Sequence, residues 1–263
     1  MSKPVCIIPA RMGSSRYPGK PLEPMLGLAL VLHVYERCRL YPGFSEVLIA
    51  TCDDAIMAAA NAHGAPSVMT ADSHDRCTDR VQEAVEKHYP NMADDDLVVM
   101  VQGDEVLVSP QMIADVVDAQ AKTGAPVVNL GSRLSRTEDH DDPNTVKVVA
   151  APDGRALCFS RAPIPSRSRN ATVPMYQQTG VMAFTFGFLK NFSALPQTPL
   201  EIIEAVDMLR VLEHGMDLYV AFTDTETLGV DTPADLARGE GLLADDALTR
   251  KYMNLPVQPI KAG

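Results

Sequence analysis

Short apolar runs, each about the length of one strand, alternate with helical patterns along the first half of the chain. The runs are rich in Val and Ile and lack polar alternation, which is typical of strands covered on both faces of a sheet. We therefore expect an α/β fold with a doubly wound, mostly parallel central sheet and helices on both faces. The predicted strands are PVCIIPA (4–10), EVLIAT (46–51), LVVMVQ (97–102) and VVNLG (127–131), and the predicted helices lie near 28–40, 53–63, 77–88 and 109–123.

The pattern changes after residue 140, where the strand-like segments TVKVVA and ALCFS precede a Pro- and Ser-rich loop at 161–178. A loop of this length is often functional. Thr198 and Thr232 each precede a proline and stand three residues before an acid, so both positions predict a capped helix. We expect a single folded domain over residues 1–248 and a C-terminal tail over 249–263.

Composition excludes several classes of function. A formal net charge of -11 opposes a broad surface for nucleic acid or anionic membrane, because such surfaces need many cations. The chain has no apolar stretch long enough to span a bilayer and no signal-like N-terminus, so a cytoplasmic protein is expected. Its five cysteines show no CxxC spacing, which argues against a disulfide framework and a zinc site.

A cationic loop follows the first predicted strand, within CIIPARMGSSRYPGKPLEPM. Arg11, Arg16 and Lys20 occur close together with no acidic residue among them, and the glycines let the backbone approach a ligand closely. Ligands of open α/β sheets bind at the carboxyl ends of strands, so the loop predicts a polyphosphate site. It is not a Walker A loop, because proline stands where that motif needs Ser or Thr. A solvated surface turn is the alternative.

Acidic residues follow two further strand patterns. Asp104 and Glu105 end the third strand in VQGDE, and Asp231 follows a short predicted strand in TLGVDTPADL. Two carboxylates at one edge of a sheet can share Mg²⁺ while leaving ligand positions open for phosphate oxygens. The alternative is that each carboxylate caps the turn or helix that follows it.

The motifs IIPARMGSSRYPGKPL, VQGDE, DDPNTVKVV, CFSRAPIP and GVDTPADL, in this order, resemble those of the cytidylyltransferases of 3-deoxy-D-manno-octulosonate (Kdo), the CMP-Kdo synthetases. The likeness runs from about Val5 to Leu243. It implies a Rossmann-like nucleotidyltransferase fold with a smaller dimerisation or substrate lobe, and a homodimer. It also implies Mg²⁺-dependent transfer of CMP from CTP to a 3-deoxy-2-keto sugar acid, with release of pyrophosphate, for lipopolysaccharide synthesis.

The resemblance further implies roles for residues at matching positions. Lys20, Asp104 and Asp231 would be catalytic, and the two aspartates would bind the metal. The implied nucleotide-binding residues are Ala10, Arg11, Gly13, Ser14, Arg16, Lys20, Arg76, Thr78 and Gln102. The implied residues for the acceptor substrate are Gln102, Arg161, Gln178, Glu204 and Asp207. For Arg161, a solvated loop position is the alternative.

The chain departs from the family pattern at five positions. Arg76 and Cys77 stand where the family has the Ser and Gly of Ser-Gly-Thr-[Asp/Glu]-Arg, and Cys52 replaces an aspartate. In the acceptor pocket, Gln178 replaces a histidine and Met182 a tyrosine. Polar pockets discriminate strongly against mismatched groups. Two alternatives therefore stay open: a different acidic acceptor, such as a nonulosonate or a phosphonate, and an inactive nucleotide-binding paralogue.

Overall fold

The structure is a computed structural model that describes residues 2–13, 16–170 and 172–254. Its strands are β1 (Val5–Ala10), β2 (Pro24–Met25), β3 (Leu28–Ala29), β4 (Glu46–Thr51), β5 (Ser67–Met69), β6 (Leu97–Val101), β7 (Val127–Arg133), β8 (Lys147–Ala150), β9 (Ala156–Ser160), β10 (Tyr176–Thr185) and β11 (Tyr219–Thr223). Its α-helices are α1 (Leu30–Arg39), α2 (Asp54–His63), α3 (Cys77–His88), α4 (Pro110–Thr123), α5 (Thr137–Asp141), α6 (Phe186–Ala194), α7 (Pro199–Glu204), α8 (Met208–Glu213), α9 (Pro233–Asp245) and α10 (Ala247–Met253).

One large sheet runs through the molecule with the strand order β11-β7-β10-β6-β1-β4-β5, and β8 and β9 continue it from β10. Neighbouring strands on this path are parallel except at β10, which is antiparallel to both β6 and β7. The prediction of an α/β fold with a mostly parallel central sheet is confirmed. The carboxyl ends of β1, β6 and β7 consequently meet at one edge.

Apolar clusters cover both faces of the sheet. Along β1, Ile8 packs in the cluster that contains α1 and α4, whereas Ile7 packs in the cluster that contains α3, α6 and α8. Both side chains are fully buried. Burial on both faces explains why the strand sequences show no polar alternation.

The central strand β10 was not predicted as a strand, and the predicted loop at 161–178 overlaps its beginning. After Tyr176 its sequence continues with the polar residues Gln177, Gln178 and Thr179 and is then interrupted by Gly180, which hides the strand pattern. The register of β10 against β7 shifts between Gln178 and Met182, so the strand carries a bulge there. A bulge next to a site re-aims side chains, and this one lies at the sheet edge described below.

The prediction of a short strand before Asp231 was wrong. Residues 227–230 form only an isolated bridge, between Glu105 and Gly229, and β11 lies earlier in the chain. The segment is held by the loop after β6 rather than by a neighbouring strand. The predicted start of α4 is confirmed, because Ser109 accepts a hydrogen bond from the Met112 amide (3.3 Å).

The predicted boundary between domain and tail falls inside α10. Thr249 is fully buried and accepts a hydrogen bond from Arg37 Nη1 of α1 (3.2 Å). Tyr252 also contacts α1, through His33 (2.6 Å). Folded structure therefore extends through Met253. In the part of the chain that the structure describes, no helix is both long and apolar enough to cross a membrane.

Candidate active site

A cavity of about 630 Å³ lies at the edge of the sheet where β6 ends and β10 begins. Seven of the predicted binding and catalytic residues contribute to its wall. They are Arg16, Gln102, Asp104, Arg161, Gln178, Asp207 and Asp231. The lining is largely polar and charged, as expected for a site that binds anionic, hydroxyl-rich ligands.

Lys20 joins the two predicted catalytic carboxylates. Its Nζ lies 2.7 Å from Asp104 Oδ2 and 3.3 Å from Asp231 Oδ1, and Arg16 Nη2 lies 3.0 Å from Asp231 Oδ2. Burial by itself would lower the pKa of Lys20, which is only 7% exposed, but the two carboxylates outweigh burial and raise it. Lys20 is therefore a fixed positive charge between two acids.

Two glycines make this convergence geometrically feasible. Gly19, immediately before Lys20, has φ +81, a left-handed conformation that favours glycine. A Cβ on Gly103 would lie 3.0 Å from the carbonyl oxygen of Pro9, so the loop after β6 passes directly against the end of β1. The Val230 amide donates to the Asp104 carbonyl (3.1 Å), which brings the segment with Asp231 to the same place.

Glu105 holds the surrounding segments together, a role that its place beside Asp104 in the sequence did not reveal. Its carboxylate accepts hydrogen bonds from the Gly180 amide (2.5 Å) and from Thr227 Oγ1 (2.7 Å). Burial, reinforced by the neighbouring Asp104, raises the pKa of Glu105 to about 7. The loop after β6, the bulge of β10 and the segment before Asp231 are thus tied to one side chain.

The predicted nucleotide-binding residues outside the cavity lining have varied surroundings. Arg11 Nη1 donates to the His74 carbonyl (3.2 Å), and Ala10 is buried at the end of β1. Arg76 forms an ion pair with Glu201, which Arg210 also binds, so this arginine is engaged with α7. Gly13 lies in the loop after β1, and Ser14 lies outside the described residues.

The first turn of α3 carries polar atoms that the rest of the described chain does not satisfy. Thr78 Oγ1 and Arg80 Nη2 are buried without a hydrogen-bond partner among the described residues. Buried polar atoms are usually paired, so such atoms point to a ligand. Burial, with smaller contributions from Asp104 and Asp207, raises the pKa of Cys77 to about 12. Arg80 was not among the predicted site residues.

Glu204 and Arg161 are bound to each other. Glu204 accepts hydrogen bonds from Ser160 Oγ and the Arg161 amide (both 2.8 Å), and its backbone carbonyl accepts one from Arg161 Nε (2.6 Å). Glu204 is not part of the cavity lining, whereas Arg161 is. The contacts of Glu204 favour a role in orienting Arg161, and direct substrate contact by Glu204 stays a prediction.

Asp207, by contrast, lines the cavity. Burial raises its pKa to about 6, although the nearby charge of Arg76 opposes that rise.

Lys147 is a further supporting residue that sequence reasoning missed. It is fully buried, and its Nζ donates to the backbone carbonyls of Asp142 (2.8 Å), Thr145 (2.6 Å) and Arg161 (2.5 Å). Asp142, Thr145 and Arg161 all line the cavity. The lysine therefore fixes the loop before β8 and the loop after β9 relative to each other.

Gly180→Ala is expected to damage the site by displacing Gln102. A Cβ at position 180 would lie 2.7 Å from Gln102 Cβ, so the Gln102 side chain would have to move at its base. We expect kcat/KM to fall about tenfold to a hundredfold and the free energy of unfolding to fall by about 1–3 kcal/mol. Steady-state kinetics and urea unfolding measure both effects.

Gly241→Ala is the matched control for this change. Gly241 lies in α9, and its added Cβ would meet nothing within 4 Å. This variant should keep full activity. Wild-type kinetics in Gly180→Ala would contradict the close packing of Gly180 on Gln102.

The donor set suits a magnesium ion bound jointly by protein and substrate. Asp104 and Asp231 both contact one atom, Lys20 Nζ, so the two carboxylates face the same point beside the cavity. Among the described residues there is no cluster of three or more His, Cys, Asp or Glu side chains able to hold a metal. Two carboxylates with water and substrate phosphates as the other ligands is a common arrangement for Mg²⁺.

The chain is similar in sequence to known cytidylyltransferases. Residues 5–218 match a protein family described as "Cytidylyltransferase". The chain is 37% identical over 250 residues to the 3-deoxy-manno-octulosonate cytidylyltransferase of Thermodesulfovibrio yellowstonii, covering 91% of this chain and 97% of that protein. It is 39% identical over 242 residues to the 8-amino-3,8-dideoxy-manno-octulosonate cytidylyltransferase of Shewanella sp. (strain ANA-3), covering 91% of this chain and 98% of that protein.

A solved structure is similar along nearly the whole chain. It is that of CMP:2-keto-3-deoxy-manno-octonic acid synthetase complexed with CTP, with a TM-score of 0.84 and 35% sequence identity. The alignment covers 92% of this chain and 99% of the solved one. The fold of this chain is therefore similar to that of a protein solved in complex with CTP.

Proposed function

This chain belongs to the cytidylyltransferase family, and on that premise we propose that it transfers CMP from CTP to a 3-deoxy-2-keto sugar acid and releases pyrophosphate. The observation that carries the proposal is the contact of Lys20 with Asp104 and Asp231, two carboxylates that line a polar cavity at the carboxyl ends of the strands. A site that only bound nucleotide would have no need of a carboxylate pair for a metal. The activated sugar would serve lipopolysaccharide synthesis.

The residues of the cavity suit in-line attack of the anomeric hydroxyl on the α-phosphorus of CTP. Lys20 uses two of its three N–H bonds on Asp104 and Asp231, so the third can reach a phosphate oxygen. Arg16 adds a second cation at the same place. Both cations would stabilise the negative charge that builds up on the departing pyrophosphate.

Asp104 and Asp231 would hold Mg²⁺, which when bound supplies further positive charge to the triphosphate. Arg161 lines the acceptor side of the cavity and is oriented by Glu204, so its guanidinium suits the carboxylate of a sugar acid. Positioning of the two reactants would supply much of the rate.

Two acceptors follow from the relatives: Kdo, and the analogue with an amino group at carbon 8. Pyrophosphate release with CTP and Mg²⁺ should be measured against Kdo, the 8-amino analogue, nonulosonates and phosphonates, and with ATP, GTP and UTP in place of CTP. We expect turnover with CTP and at least one of the first two acceptors. Turnover only with a phosphonate or a nonulosonate would mean that this compound, and not a 3-deoxy-2-keto octulosonate, is the acceptor. No turnover with any of the compounds would favour an inactive paralogue.

We propose that the protein acts as a homodimer in the cytoplasm. Free thiols at all five cysteines fit a reducing compartment.

Three side chains of the short helix α7 and one of β9 are apolar and exposed. They are Leu157 (55% exposed), Leu200 (46%), Ile202 (62%) and Ile203 (75%). Exposed apolar side chains grouped on one short helix are typical of protein interfaces, and a second copy of the chain is the proposed partner.

Ile203→Asp is expected to convert the dimer to a monomer, because a charge at the interface would lose its water on association. The change should leave the thermal midpoint of the isolated monomer within a few degrees, since Ile203 is exposed there. Analytical ultracentrifugation measures the mass. Leu242→Asp, an exposed leucine of α9, is the control and should stay dimeric. A wild-type monomer at micromolar concentration would contradict the proposal.

A further inference from the structure

Asn129 on β7 has a side-chain orientation that its surroundings determine completely. It is fully buried, and its Nδ2 faces the backbone carbonyls of Thr179 (3.0 Å), Val181 (3.1 Å) and Leu130 (3.2 Å). Carbonyl oxygens only accept hydrogen bonds, so the amide atom that faces them has to be the nitrogen. Asn129 thereby fills the bulge of β10, and its Oδ1 points the other way.

The orientation of Asn129 in turn determines that of Gln178. Asn129 Oδ1 lies 2.8 Å from the side-chain amide of Gln178, and two oxygens cannot form a hydrogen bond with each other. The atom of Gln178 at this contact is therefore Nε2, the donor. Gln178 lines the cavity, and no described residue donates to its Oε1. The contact with Asn129 therefore fixes which end of the Gln178 amide is Oε1, and this oxygen is left to accept a hydrogen bond, while the second N–H of Nε2 stays at the donor end.

This arrangement differs from that of the histidine that the related enzymes carry at the matching position. A neutral imidazole has one donor and one acceptor nitrogen, and its tautomer can adapt to the group it meets. Gln178 cannot adapt in this way, because exchanging its oxygen and nitrogen would break the contact with Asn129. Met182, where those enzymes have a tyrosine, adds an apolar wall to the cavity rather than a hydroxyl.

We propose that Gln178 is a specificity-determining residue, held by Asn129 so that its Oε1 accepts a hydrogen bond from a hydroxyl or amino group of the acceptor sugar. The proposal rests on the proposed function and adds a rule to it: the acceptor has to present an O–H or N–H donor at this point. A sugar acid without that donor would leave Oε1 desolvated and unpaired, which costs affinity.

The test combines a change in the enzyme with changes in the substrate. Gln178→Met preserves the length of the side chain and removes both its oxygen and its nitrogen. With Kdo or the 8-amino analogue as varied substrate at saturating CTP and Mg²⁺, we expect KM for the acceptor to rise about tenfold, with KM for CTP unchanged. The unfolding midpoint should fall, because the buried Asn129 Oδ1 loses its donor. Gln111→Met is the matched control, because Gln111 is exposed on α4 and its side chain donates a hydrogen bond to its helix neighbour Asp115.

The same enzymes should then be assayed with deoxy analogues of Kdo that each lack one hydroxyl. One analogue should lose about tenfold in kcat/KM with the wild type and nothing further with Gln178→Met, because both changes remove the same hydrogen bond. If the partner is an amino group at carbon 8, any preference of the wild type for the 8-amino analogue should disappear in Gln178→Met.

Losses that are additive for every analogue, or an unchanged acceptor KM in Gln178→Met, would overturn the inference while leaving the proposed function in place. Absence of turnover by the wild type with every acceptor would instead contradict the proposed function and the inference with it.

Discussion

Replacement of Asp104 by asparagine is expected to lower kcat by a factor of about 10³ or more. The amide keeps the shape of the side chain but loses the negative charge that would bind Mg²⁺ and that faces Lys20 Nζ at 2.7 Å. Because Asp104 is partly exposed at the cavity, the fold should be retained, with an unchanged circular dichroism spectrum. The measurement is single-turnover pyrophosphate release at saturating CTP and Mg²⁺.

Asp95→Asn provides the matched control for Asp104→Asn. Asp95 is an exposed aspartate in the loop before β6, and its neutralisation should leave kcat at the wild-type value. Full activity in Asp104→Asn would remove Asp104 from the proposed catalytic centre. A loss of activity accompanied by unfolding would be seen in the circular dichroism spectrum.

Lys20→Met should be almost as damaging, for a different reason. Removing the ammonium takes away a cation from the triphosphate and leaves Asp104 and Asp231 facing each other without their shared partner. We expect kcat/KM for CTP to fall by about 10² to 10³, because one preorganised electrostatic contact to the transition state is lost. Lys20→Arg should restore little, since a planar guanidinium does not replace a compact ammonium between two carboxylates.

A double variant with Lys20→Met and Asp104→Asn tests whether the two residues act together in one site or independently of each other. If Lys20 and Asp104 act as one unit, the loss in Lys20→Met/Asp104→Asn should be far smaller than the product of the single losses. Lys122→Met, on an exposed lysine at the end of α4, is the control and should be fully active. Multiplicative losses would mean that the lysine and the aspartate do not cooperate as their contact suggests.

The sequence was sufficient to predict the parallel strands β1, β4, β6 and β7, but not β5 and β11, and the reason for the success is physical. Strands such as β1 and β4 are buried on both faces, so their apolar runs stand out and their bounds are clear. The central strand β10 could not be recognised in the same way, because it begins with polar residues that line the cavity and contains a bulge at Gly180. The polar residues that β10 contributes to the cavity thus made its sequence unlike that of a buried strand.

Sequence reasoning predicted those site residues whose position follows from the order and direction of the strands. Carboxyl ends of parallel strands share one edge, and this brings the loop with Lys20 and the loop with Asp104 together. Asp231 joins them through the bridge between its segment and the loop after β6, although the strand predicted before it does not form. Roles that depend on a particular distant partner were not visible. Arg76 is an example, because its pairing with Glu201 depends on where α7 packs. Asn129 is another, because it acts by filling the bulge of a strand that follows it by about fifty residues.

One measurement tests the central claim most directly: ³¹P nuclear magnetic resonance of the wild-type protein with CTP, Mg²⁺ and either Kdo or its 8-amino analogue. We predict the disappearance of the CTP signals and the appearance, in equal amounts, of pyrophosphate and a single phosphodiester signal from a CMP-sugar. Formation of CDP with inorganic phosphate, or CTP signals that persist with both acceptors, would contradict cytidylyl transfer to these sugar acids at the Lys20, Asp104 and Asp231 centre.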